Sequence, residues 1–173
     1  MALPYVPNTT WVDEPTHTTP LAASRLNHIE EGIGDLSDWT TSTSWTSYTP
    51  SVTNITLGNG TIAGRYSSVK KTVTVNLKFT FGSTSSLTGA PQFSLPTTIA
   101  DTSYNPPIYG GLIEDSGTGY YAAAVRLESS TTFGLYVVNS STTYALVQAA
   151  SSTVPMTWAT GDTVVMSFAY ESA

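Results

Sequence analysis

The chain has 173 residues, 40% of them hydrophobic, which suffices for one domain of ordinary size plus a short appendage. Only 10% of residues are charged while Ser and Thr supply about 30%, so the surface is expected to be hydroxyl-rich, and 11% aromatic residues argue against disorder. A formal charge of −6 leaves six cations, Arg25, Arg65, Lys70, Lys71, Lys78 and Arg126, in no run longer than two, which disfavours nucleic-acid binding. With no cysteine, disulfides, thiolate metal sites and cysteine nucleophiles are excluded.

Residues 1–19 carry Pro4, Pro7 and Pro15 among few core-forming residues and read as an extended arm. The opening lacks the basic start and the roughly 7–15-residue apolar stretch of a secretion signal, and no window approaches about 18 consecutive apolar residues. Neither signal-directed export nor membrane insertion is expected.

A helix then begins, with Thr19 able to cap its free N–H groups and Pro20 at the first position, where a missing donor costs nothing. Apolar residues follow at Ala22, Leu26, Ile29, Ile33 and Leu36, spaced 4, 3, 4 and 3. That is a heptad seam, with Asn27, Glu30, Glu31, Asp35 and Asp38 on the other faces. The stripe suits an amphipathic helix packed on its own domain or a short bundle of several chains. It is narrow for a core helix, and the helix contains Gly32 and Gly34, which makes it marginal alone. Isoleucine at both seam positions favours three chains or more, a preference that Leu26 and Leu36 weaken, and a homotrimer is expected.

After Trp39 the run TTSTSWTS at 40–47 has no periodicity and reads as a linker between an N-terminal unit, 1–39, and a C-terminal domain, 48–173. Beyond it the period becomes two. Val73, Val75, Leu77, Phe79 and Phe81 alternate with Thr72, Thr74, Asn76, Lys78 and Thr80, the pattern of a half-buried antiparallel strand. Noisier alternation recurs at 120–127, at Phe133, Leu135 and Val137, and at Val164, Met166, Phe168 and Tyr170. Turn signals separate these runs, among them Gly58-Asn59-Gly60, 82–86, Asn105-Pro106-Pro107, 116–119 and Gly161-Asp162. The expectation is mainly β: about eight short strands forming an antiparallel sandwich or jelly roll, preceded by the arm and a trimerising helix.

Two stretches carry a resemblance. Residues 10–36, with Trp11, a Thr/Pro-rich spacer and the LNxIExGI pattern from Leu26 to Ile33, resemble the opening segment of many minor tail, baseplate and fibre proteins of tailed bacteriophages. In that family the segment is an attachment and trimerisation element, which implies that Trp11 and Trp39, bracketing the helix, dock the arm on other virion proteins. Residues 48–96 resemble a β module near the C-termini of phage tail and fibre proteins, with its Tyr-Thr-Pro entry at Tyr48, a Leu-Gly-Asn-Gly turn from Leu57, Arg65-Tyr66, the alternating strand at 72–81 and FSLP from Phe93. Lys70-Lys71 depart from the Gly-Lys often found there. Residues 97–173 resemble no family.

Candidate catalysis is thin. Outside the helix the carboxylates are Asp101, Glu114, Asp115, Glu128, Asp162 and Glu171, and a glycosidase needs two of them held roughly 5–9 Å apart. Glu114 and Asp115 are adjacent and read as opposite faces or a turn. No nucleophile elbow, P-loop or zinc-protease motif occurs, and both histidines, His17 and His28, lie outside the β-domain and read as surface residues, so no enzyme, cofactor or metal is expected. The Asn-X-Ser/Thr triplets at Asn8, Asn54, Asn59 and Asn139 are what a Ser/Thr-rich chain produces by chance.

Binding suits the composition better, because Tyr and Trp offer flat faces to sugar rings and Ser, Thr and Asn offer adaptable hydrogen bonds. The candidates are Tyr104, Asn105, Tyr109, Tyr120, Tyr121 and Trp158, with Tyr144 beside them; a core or interface role is the alternative for each aromatic. Taken with the resemblance, the expectation is a non-catalytic virion protein made in the host bacterial cytoplasm, a trimeric short tail or baseplate fibre that adheres to host-surface polysaccharide. A trimeric head fibre or capsid-decoration protein is the alternative.

Overall fold

The computed structural model describes residues 23–41, 44–103, 108–140 and 145–173. Two compact units divide the chain, Met1–Ser44 and Trp45–Ala173. Among the described residues no helix is long and apolar enough to cross a membrane.

In the first unit α1 spans Ala23–Thr41. The expected arm with Trp11, the Thr19-Pro20 start and Ala22 lie outside the described residues, as does the side chain of Trp39. Of the seam, Leu26 is half-buried, whereas Ile29, Ile33 and Leu36 are 53%, 41% and 59% exposed. The half-buried stripe lies elsewhere, along Ala23, Asn27, Glu30, Gly34 and Ser37, about a third of a turn around the helix. Asn27 Oδ1 and Glu30 Oε2 are withdrawn from solvent on this stripe without a hydrogen-bond partner. His28 and Glu31 form an exposed pair at 3.9 Å, a geometry that adds little stability.

Ten strands build the second unit: β1 (Thr46–Tyr48), β2 (Val52–Thr56), β3 (Thr61–Val69), β4 (Thr72–Thr80), β5 (Ser86–Ser94), β6 (Ile108–Asp115), β7 (Gly119–Leu127), β8 (Thr132–Asn139), β9 (Leu146–Ala149) and β10 (Thr163–Glu171). Two of the shortest are β1 and β9, where three or four residues cannot display an alternation, and the ten exceed the eight that periodicity suggested. Residues 46 and 47, assigned to the linker by their composition, already pair with Tyr66 and Arg65 of β3. Sheet pairing thus claims polar residues that local pattern leaves unclaimed.

All strands join one antiparallel sheet in the order β1-β3-β4-β10-β6-β7-β8-β5-β2, with β9 on the far part of β8. The sheet curls, because Phe133 on β8 meets Phe168 on β10, three places away in that order, at 4.7 Å between ring centres. Phe93 on β5 stacks on Phe133 at 5.4 Å and extends the aromatic row. Inward residues of β4 and β10, among them Val73, Val75, Leu77, Phe79, Val164, Met166 and Phe168, are buried, as alternation requires. The segment after β5 fastens the curl, since Leu95 N–H donates to Thr131 O and Ala100 N–H to Glu171 O. The architecture is therefore mainly β, a curled antiparallel sheet with one helix.

Two turns show local chemistry at work. The Leu57–Gly60 turn docks on the loop after β4: Thr84 N–H and Oγ1–H donate to Asn59 Oδ1 at 3.0 and 2.9 Å, Asn59 Nδ2 donates to Ser83 Oγ at 3.0 Å, and Asn59 N–H to Thr84 Oγ1 at 2.9 Å. Between β3 and β4 the departure at Lys70-Lys71 forms a two-residue turn in which Lys70 adopts φ 52°, a conformation that favours glycine.

Candidate functional site

The outward face of β1, β3, β4 and β10 carries the residues that alternation sends away from the core. Register aligns them in two rows. Ser47 lies opposite Arg65, Arg65 opposite Asn76 and Asn76 opposite Ser167, while Ala63 lies opposite Lys78 and Lys78 opposite Val165. Small Ala63 beside Arg65 and Lys78, and small Ser47 on the other flank of Arg65, leave a shallow groove of about 510 Å³, with Val165 across from Lys78. Gly64 supports its floor from below: a Cβ there would stand 2.5 Å from Cε1 of Tyr48, whose ring packs on the inner side of the strand.

The Arg65 guanidinium, which lines the groove, lies over the Trp45 ring, 4.7 Å from its centre, and Trp45 remains 43% exposed. Stacking engages the flat face of a guanidinium and leaves its N–H edge available. Neither Arg65 nor Lys78 has a carboxylate partner among the described residues, and no acidic residue lines the groove. The side chains of Ser47 and Asn76 make no hydrogen bond within the described residues. In a chain of net charge −6 this places two uncompensated cations, an amide and a hydroxyl in one depression, with the Trp45 indole against Arg65 beside it.

Beneath it, burial pushes the Tyr48 hydroxyl well above its ordinary value of 10.0, with Tyr170 adding to the effect; the hydroxyl has no hydrogen-bond partner. Burial also raises Tyr170, against the lowering effect of its hydrogen bonds with Thr97.

The aromatic residues singled out from sequence are dispersed. Trp158 stacks on Phe81 at 4.6 Å and donates from Nε1 to Ser151 O at 2.7 Å, so it closes the core instead of facing a ligand. Tyr121 packs half-buried against the core, and Tyr120 is 67% exposed on β7. Tyr104, Asn105 and Tyr144, with the side chain of Tyr109, lie outside the described residues. Of the three whose side chains are described, Tyr120, Tyr121 and Trp158, none lines the groove. Trp45 sits in the run read as linker and Arg65 in the Arg-Tyr pair; a tryptophan within a hydroxyl-rich run was the available signal.

The carboxylates take structural places. Asp162 is 1% exposed, accepting Ser116 N–H at 3.0 Å and Ala159 N–H at 2.7 Å, so two backbone donors satisfy it. Glu128 accepts the Tyr136 hydroxyl at 2.7 Å, which in turn accepts from Arg126 at 3.0 Å; burial first, then this bond to Glu128, raises the Tyr136 pKa. Asp101 is lowered by hydrogen bonds from Ser103. Glu114 and Asp115 are consecutive in β6 and so face opposite ways. Among the described residues no three His, Asp or Glu side chains gather as a metal would need.

Comparison with protein families, with curated proteins and with solved structures finds no match for this chain.

Proposed function

We propose that this protein is a non-catalytic structural component of a bacteriophage virion, a homotrimer held through α1 that displays its β unit for adhesion to host-surface carbohydrate. The observation that carries the reading is the uncovered seam: Ile29, Ile33 and Leu36 keep heptad spacing yet stand exposed. Exposed apolar residues in register are the signature of a helix whose partner is another helix. The phage-like residues, LNxIExGI in α1 and the β module at 48–96, supply the virion setting. On this reading the curled sheet is a sandwich of the jelly-roll kind, supported by the Phe93, Phe133 and Phe168 contacts across its interior. Three weak sites on one trimer would act together through avidity.

Light scattering on the full chain is expected to give about three times 18.3 kDa. Ile33→Asp should abolish that mass by placing a carboxylate in the seam. A monomeric mass for the unaltered chain at micromolar concentration would sink the reading. Gold-labelled antibody on intact virions should mark the tail tip; label spread over the capsid would replace the fibre with a decoration protein.

A further inference from the structure

We propose that the Arg65–Lys78 groove, with the Trp45 ring against Arg65 beside it, is a binding site for an acidic saccharide, one whose ring carries a carboxylate. The proposal deepens the adhesive reading above and rests on it, and its argument comes from the groove alone. Arg65 and Lys78 are two of only six cations in a chain of net charge −6, yet they flank one depression and neither is neutralised by a carboxylate among the described residues. Uncompensated cations side by side repel each other, and an anion between them removes the repulsion. The nearest register rows place Glu114 beyond Thr163 on β6, two strands from Lys78, so the face offers no internal anion within the groove.

The remaining lining selects a sugar over a bare anion. The Trp45 indole beside Arg65, 43% exposed, offers apolar surface to the C–H side of a pyranose. Asn76 can donate and accept, and the Ser47 hydroxyl likewise, which matches the alternating needs of ring hydroxyls; both side chains lack a partner among the described residues. Arg65, its guanidinium over the Trp45 ring, also lines the groove, and a guanidinium fork suits a bidentate carboxylate contact. Lys78, across the strand pair, supplies a second point charge. A volume of about 510 Å³, open to solvent, has room for one or two sugar rings.

Titration calorimetry of the full chain with a short oligogalacturonate tests the assignment, with the fully methyl-esterified oligomer as a neutral control and a glycerol-phosphate oligomer as a phosphate-bearing comparison. Binding of the uronate is expected, weakening with salt, and weakening about tenfold in Arg65→Ala and in Lys78→Ala. Trp45→Ala should weaken uronate and any residual ester binding by similar factors. Because all three side chains are exposed, unchanged melting temperatures will show that the variants fold. Preference for the phosphate oligomer would overturn the carboxylate in favour of a polyol phosphate. No binding of either polymer, or equal binding by the variants, would overturn the site. Light scattering on the same samples separates the two proposals: a trimer that fails to bind removes the groove assignment alone, and a monomer that binds removes the trimer alone. If Lys78→Ala or Val165→Asp instead shifts the mass, the groove is a contact between copies of the chain and the saccharide site falls.

Discussion

In β4 and β10 every inward side chain is apolar and buried, whereas in α1 the apolar Ile29, Ile33 and Leu36 stand exposed while Asn27 and Glu30 lie on the half-buried stripe. Both segments repeat their apolar residues faithfully, at period two in one and along a heptad in the other. What differs is where the partner surface comes from. The strands find theirs in the same chain, because the sheet curls until Phe133 reaches Phe168. The helix seam finds none among the described residues; on the proposed trimer its stability should depend on protein concentration and that of the sheet should not.

The largest test of the contrast removes the ring where the curl closes. Phe133→Ala should destabilise the sheet unit by about 3–5 kcal/mol in chemical denaturation, because the ring is fully buried between Phe93 and Phe168. A loss below about 1 kcal/mol would mean that the curl does not depend on that row. Next, Asp162→Ala should cost about 2–4 kcal/mol, since Ser116 and Ala159 lose their acceptor in a buried place. Asp162→Asn, which keeps an acceptor oxygen, should lose less.

A third test uses alkali. Tyr48, Tyr136 and Tyr170 have raised pKa values in the folded protein, each chiefly from burial. Their stabilising contribution is intact below the unfolded value near 10.0 and is lost as pH rises through the higher folded values. The sheet unit should therefore hold constant stability from these groups at neutral pH and weaken above pH 10, with Tyr48→Phe blunting the fall. Thermal melts across that range check it; a fall already complete below pH 9 would implicate other groups. The smallest effect concerns the β3–β4 turn, where Lys70→Gly should stabilise by about 1 kcal/mol by relieving the left-handed φ of 52°.

Much of this molecule was legible from the chain. Strict alternation at 72–81 predicts β4, and Val164 to Tyr170 predicts β10, because a buried face at period two leaves no other regular conformation. The Asn59 turn was legible as a turn, though its docking onto Ser83 and Thr84 was not, since nothing local links residues 25 positions apart. Beyond reach was β1, too short and polar to show a period; Trp158 takes the core role that sequence offered as its alternative, though its stacking partner Phe81 was not legible. The contact of Trp45 with Arg65 was not legible either, because Arg65 lies twenty residues away on β3.

By itself the sequence determined the change from a heptad helix to alternating strands, and the polar, hydroxyl-rich character of the surfaces, because these follow from side-chain period and composition. Only the tertiary structure decided that β10 inserts between β4 and β6, which sets Val165 beside Lys78 and, with β1 on the other flank, assembles the groove. The reason is physical: strand order depends on the summed burial of a curled sheet, a nonlocal quantity that no single segment encodes.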